Sequence, residues 1–144
     1  MDFRSRIEDL GHGNAILRLI GEIDLASEDR LARQLERLAR SGFRAVVIDG
    51  TEVTFMDSTG YHAFIDGKRA LNERGIKIIL VASRTMRRVL ELVSPDPIFA
   101  VRVASIEEAM PLLDEAESRS SRGAQGRSHK GRTREDLNSE PSDP

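Results

Sequence analysis

One carboxylate, two hydroxyls and a glycine follow one another at Asp57, Ser58, Thr59 and Gly60. An acid beside two hydroxyls supports two kinds of chemistry. Ser58 or Asp57 can cap a helix, turning a side-chain oxygen onto backbone N–H groups that have no partner within the helix. Alternatively, a hydroxyl at the positive end of a helix can accept a phosphoryl group, because that end is a natural phosphate site. His62 stands one helical turn beyond Ser58 and is close enough to act as a base. The competing reading is a surface histidine, since no acid is placed to orient it. Asp24, Asp49 and Asp57 read either as a metal cluster or as solvated acids at strand ends. No dense ligand spacing favours the metal.

Strong motifs for other chemistry are missing. The sequence has no phosphate-binding Gly-Lys loop, no dinucleotide glycine fingerprint and no nucleophile elbow. It has no cysteine, so thiol catalysis, disulfides and Cys-based zinc sites are excluded. Aromatic residues make up 4% and Trp is absent, which leaves too few rings to stack bases. The net charge is −2. Six basic and four acidic side chains after Glu117 give that segment +2, leaving −4 on residues 1–117. An acidic body is a poor duplex-DNA binder. No apolar run reaches membrane-spanning length, and Met1, Asp2, Phe3 and Arg4 do not open a signal peptide. These readings lead us to expect a cytoplasmic chain with no enzyme activity, no cofactor, no metal, no direct nucleic acid and no membrane contact.

The elements that must position Ser58 follow from periodicity. Residues 3–10 form a weak first strand, and Ala15 to Ile23 form a clearer one with apolar groups on both faces. Ser27 is the expected N-cap of a helix whose stripe is Leu31, Ala32, Leu35, Leu38 and Ala39, ending at Gly42. Ala45, Val46, Val47 and Ile48 read as a short strand buried on both faces, followed by a connector carrying Val53. A helix then runs from the Ser58 region to about Arg74, with Ala63, Phe64, Ala70 and Leu71 inward. Ile76 to Val81 is the next buried strand. Ser83 caps a short helix with Met86, Val89, Leu90 and Val93 inward, and Ser94, Pro95, Asp96 and Pro97 break it. Phe99 to Val103 is the last strand. Ser105 and Glu108 form a capping box for a final helix that Pro111 should kink or shorten. The order is β, β, α, β, α, β, α, β, α. It predicts a single α/β domain with a mixed, mostly parallel sheet and helices packed on it. The domain spans 1–117. Residues 118–144, in which Leu137 is the one large aliphatic side chain, are expected to be disordered.

Three features of this chain resemble the STAS domain of bacterial anti-sigma factor antagonists. Gly21, Glu22, Ile23 and Asp24 are similar to the family's turn after its second strand. Val53 to Gly60 is similar to its phosphorylation loop, and Thr85 to Leu92 to the helix that follows. The resemblance covers about residues 3–117. It implies that Ser58 is phosphorylated, with Thr59 as a secondary site. The serine kinase would be a partner anti-sigma factor that itself binds the ATP, the phosphoryl donor. Asp24, Asp57, Ser58, Thr59, Gly60, Tyr61 and His62 would form the partner-binding surface. The unphosphorylated chain, a monomer when free, would bind the anti-sigma factor and release a sigma factor, and a phosphatase would reset it. Tyr61 and His62 replace the family's usual Leu and small or basic residue at the exposed start of the helix. Tyr61 there is either a contact or packing. The alternative role is a STAS scaffold subunit of a stress-signalling complex or of a transporter assembly.

Overall fold

The computed structural model describes residues 2–93 and 102–113. Strands β1 (Arg4–Gly11) and β2 (Asn14–Ile23) form an antiparallel hairpin. Its turn places Gly11, His12 and Gly13 in succession at positive φ, a conformation that glycine adopts without strain. A 3-10 turn (Leu25–Ser27) leads into α1 (Glu28–Arg40). Then come β3 (Ala45–Met56), α2 (Ser58–Glu73), β4 (Lys77–Ala82), α3 (Arg84–Val93) and β5 (Arg102–Val103). Residues 106–113 are helical and are called α4 here. The five strands lie in the order β1-β2-β3-β4-β5, and every pairing except β1 with β2 is parallel. The expected single α/β domain with a mixed, mostly parallel sheet is the fold.

Both faces of the sheet are covered, which explains the unbroken apolar runs. Leu17, Leu19, Val46, Ile48, Ile78 and Leu80 face α1, α2 and α3 in the larger core. Their neighbours Ile16, Ala45, Val47, Ile79 and Val81 face the other way, against Ala109 and Leu113 of α4. Helices α1 and α2 pack directly on each other. Gly67 makes this possible, since a Cβ there would collide with the Leu35 side chain, its Cβ included.

Several local expectations need correction. The first buried strand does not stop at Ile48. Instead β3 continues to Met56, because its second half keeps pairing with β2 through two register shifts after β4 has ended opposite Gly50. Ser27 makes no capping bond to α1; Asp24 accepts from Ala26 N and Ser27 N instead. Ser27 is buried, and its hydroxyl accepts from Asp24 N and donates to the Glu22 carbonyl. Ala32 and Val93 are exposed, so the apolar stripes of α1 and α3 are narrower than their spacing implied. Asp49 is not a solvated acid: it is 6% exposed, accepts from Arg18 Nη1 at 3.0 Å and from the Thr51 hydroxyl at 2.8 Å. Helix α4 runs through Pro111, where burial of Ala109 and Leu113 offsets one missing backbone bond. Ser105 caps it as expected, while Glu108 reaches Ala104 N, one residue beyond the capping-box position. The Ser94–Pro97 break, the start of the last strand and the segment 118–144 lie outside the described residues.

Gly67→Ala should test the helix crossing. Alanine gains up to about 1 kcal/mol of helix propensity. Overpacking against Leu35 costs about 1–3 kcal/mol. Urea denaturation should therefore show a net loss of about 1–2 kcal/mol in a variant whose circular dichroism is unchanged.

Candidate functional site

The site is assembled where the ends of β2 and β3 meet the start of α2. Ile23 and Met56 are register partners at the end of the β2–β3 ladder. One residue later the chains part: Asp24 opens the 3-10 turn and Asp57 opens α2. The two ends are fastened together, since Asp57 N–H donates to the Ile23 carbonyl at 3.2 Å. Gly60 seats the first turn of α2 on that carbonyl, and any Cβ there would strike Ile23 O and lie 2.6 Å from its Cγ2. Gly60 is therefore a packing requirement.

Both acids are helix caps. Asp57, in extended backbone, accepts from Gly60 N–H at 2.9 Å. Asp24 accepts from Ala26 N at 3.0 Å. Of the two candidate caps, Asp57 thus takes that role, and Ser58 becomes the first helical residue. The Ser58 side chain is exposed, and its hydroxyl donates to no group among the described residues. With Asp57 N and Gly60 N already engaged, the N–H groups of Ser58 and Thr59 are the first-turn donors without an acceptor among the described residues. Thr59 is half-buried.

Tyr61 and His62 diverge. Tyr61, expected on the exposed start of the helix, is 7% exposed and packs in the larger core. Of its two readings, packing is the one the structure takes, because position 61 lies one turn before the inward Phe64. His62 is exposed and meets the Tyr61 ring edge-on at 5.5 Å. No acid is bonded to it among the described residues, and no group of three or more His, Cys, Asp or Glu there could hold a metal ion.

Sequence reading missed two apolar residues beside the site. Leu25, next to Asp24, is 71% exposed, and Phe55, opposite Glu22 in the ladder, is 45% exposed. A large apolar side chain directly flanking a capping acid was the available signal. The extended β3 hides it, because Thr54 and Phe55 are both exposed and break strict alternation.

This arrangement can be set beside known proteins. The family model of the STAS domain matches residues 6–109. The chain belongs to the STAS domain family. An anti-sigma factor antagonist from Mycobacterium paratuberculosis superposes with a TM-score of 0.65 at 22% identity, over 77% of this chain and 93% of that one. The Bacillus cell fate determinant SpoIIAA in its phosphorylated form gives 0.59 at 23%, over 76% and 99%. A sulfate transporter family protein from Wolinella succinogenes gives 0.63 at 18%, over 76% and 91%. At these identities the likeness is one of fold. No curated protein matches the chain. Among the described residues of this STAS domain, no helix is long and apolar enough to cross a membrane.

The caps give a stability test. Asp57→Ala should lose about 1 kcal/mol, and Asp57→Asn much less, because asparagine still caps. Ser58→Ala should stay within about 0.5 kcal/mol of the parent, since its hydroxyl is exposed and unbonded. Chemical denaturation of the three variants measures this directly.

Proposed function

We propose that this STAS domain is a non-enzymatic anti-sigma factor antagonist of the partner-switching kind, regulated by phosphorylation of Ser58. The observation that carries this reading is the placement of Ser58: exposed, first in α2, and outside the capping bond that Asp57 makes. A kinase can reach such a hydroxyl without disturbing the fold. Thr59, half-buried, is the secondary acceptor. Asp24, Asp57, Ser58 and His62, with the apolar Leu25 and Phe55, form the surface offered to the partner. Gly60 and Tyr61 support that surface from beneath.

The switch follows from charge. Phosphate adds about −1.5 to −2 charges at pH 7. At the α2 N-terminus the dipole favours that charge by about 0.3–1 kcal/mol, so the domain stays folded. A partner packed over Ser58 meets a dianion next to Asp57 and must desolvate it, at a cost of several kcal/mol. Each 1.4 kcal/mol is about tenfold in affinity, so binding falls by orders of magnitude. The change is a local charge event read by the partner, and the domain need not refold. The partner in this reading is an anti-sigma factor with serine kinase activity that brings its own ATP, and a separate phosphatase resets the switch. In this reading the chain acts in the cytoplasm.

Ser58→Ala should remain unphosphorylated and keep binding the anti-sigma factor, while Ser58→Asp should lose binding with its circular dichroism intact. Isolation from its own cells, growing and stressed, with site mapping by intact-mass spectrometry should show a phosphate on Ser58 whose occupancy changes. Equal binding by both variants overturns the proposal. A chain held in one large assembly whatever the state of Ser58 would point to a scaffold or transporter-associated subunit.

A further inference from the structure

The outer edge of β1 is open. It ends the sheet, and among the described residues no strand pairs with its far side. Edge strands invite pairing with another chain, and proteins usually blunt them with proline, bulges, short length or charge. β1 runs eight residues without proline, and its pairing with β2 is regular from Arg4 to Asp9, with a bulge only at its end, between Asp9 and Gly11. It does carry charge, but the signs are segregated: Arg4 and Arg6 in its first half, Glu8 and Asp9 in its second.

Arg6 is placed oddly for its own fold. Its partner across the β1–β2 ladder is Arg18, a like charge. Arg18 is answered by Glu8 at 3.1 Å and by Asp49 at 3.0 Å. Arg6 is exposed and has no acid in salt-bridge range among the described residues. Nothing within the described domain balances it.

We infer that the edge of β1 pairs antiparallel with β1 of a second copy of this chain, joining two sheets about a two-fold axis through Ile7. The register follows from hydrogen-bond geometry. Residues directly opposite in an antiparallel ladder must both turn their N–H and C=O groups toward the partner, or both away, and this alternates along each strand. An isologous pairing of one edge therefore has its axis on a residue, not between two. An axis at Arg6 sets Arg6 against Arg6, and one at Glu8 sets Glu8 against Glu8. An axis at Ile7 sets Arg6 against Glu8 of the partner subunit, twice by symmetry. Ile7 meets its own copy, and Ser5 stands opposite Asp9 of the partner subunit. The central register is thus the complementary one, and it supplies the acid that Arg6 lacks. The contact is one strand wide, so it forms a weak, reversible dimer in place of the monomer expected from sequence. This inference is independent of the proposed function, because β1 carries none of the residues around Ser58.

The test uses the full chain. Sedimentation equilibrium from micromolar to near-millimolar concentration should show a reversible monomer–dimer equilibrium. Arg6→Glu should weaken it about tenfold, since two attractive pairs become two repulsive ones. This variant should fold at least as well as the parent, because the introduced carboxylate would face Arg18, and thermal melting checks that. The chain has no cysteine, so Ile7→Cys under mild oxidation should give a disulfide-linked dimer. A monomer at every concentration overturns the inference. So does a dimer that Arg6→Glu leaves unchanged.

Discussion

The structure of the site depends on one close approach, that of the first turn of α2 to the end of β2. The Ile23 carbonyl takes the Asp57 N–H, and Gly60 has no side chain to push it away. This contact ties the C-terminal end of β2 to the start of α2. It keeps the two capping acids, Asp24 and Asp57, on one tip of the domain. It also decides which first-turn N–H groups are used and which stay open, and so sets the character of the surface around Ser58.

That tip combines features that rarely coincide for stability alone. Polar caps satisfy backbone groups, and that is ordinary. Leu25 and Phe55 on the same tip are large, apolar and exposed, and they contribute little to the fold. In the function proposed, exposed apolar side chains and a hydroxyl that gains about two charges give a surface whose affinity responds strongly to one modification. The core beneath includes Tyr61 and Phe64.

The opposite character is found at β1. There the charges are exposed but organised, and a cation without a counter-charge among the described residues lies on the free edge of the sheet. The tip and the edge draw on different physics. The tip is governed by helix-end electrostatics and desolvation, and the edge by backbone pairing and cross-strand charge register. Separate elements carry them, so a change at one need not disturb the other.

Local order was legible from the residues. The continuous apolar run Ala45–Ile48, and Ile76–Val81 with Lys77 as its one charged residue, determined strands buried on both faces, and helical spacing determined α1, α2 and α3. The Asp57, Ser58, Thr59 and Gly60 cluster determined a helix start, because capping is a matter of near neighbours in sequence, but not which of Asp57 and Ser58 caps it. What depended on distant neighbours was not legible. The extension of β3 to Met56 comes from β2 continuing to pair with it after β4 has ended. The burial of Asp49 comes from Arg18 reaching across from β2. Tyr61 turned inward because the core below had room for a ring, and Gly60 and Gly67 were needed because Ile23 and Leu35 crowd their backbones. Sequence determined which residues form elements and caps, through periodicity and local hydrogen bonding. Tertiary structure decided which side chains are left to face a partner, because burial is set by what packs on a residue from elsewhere in the chain.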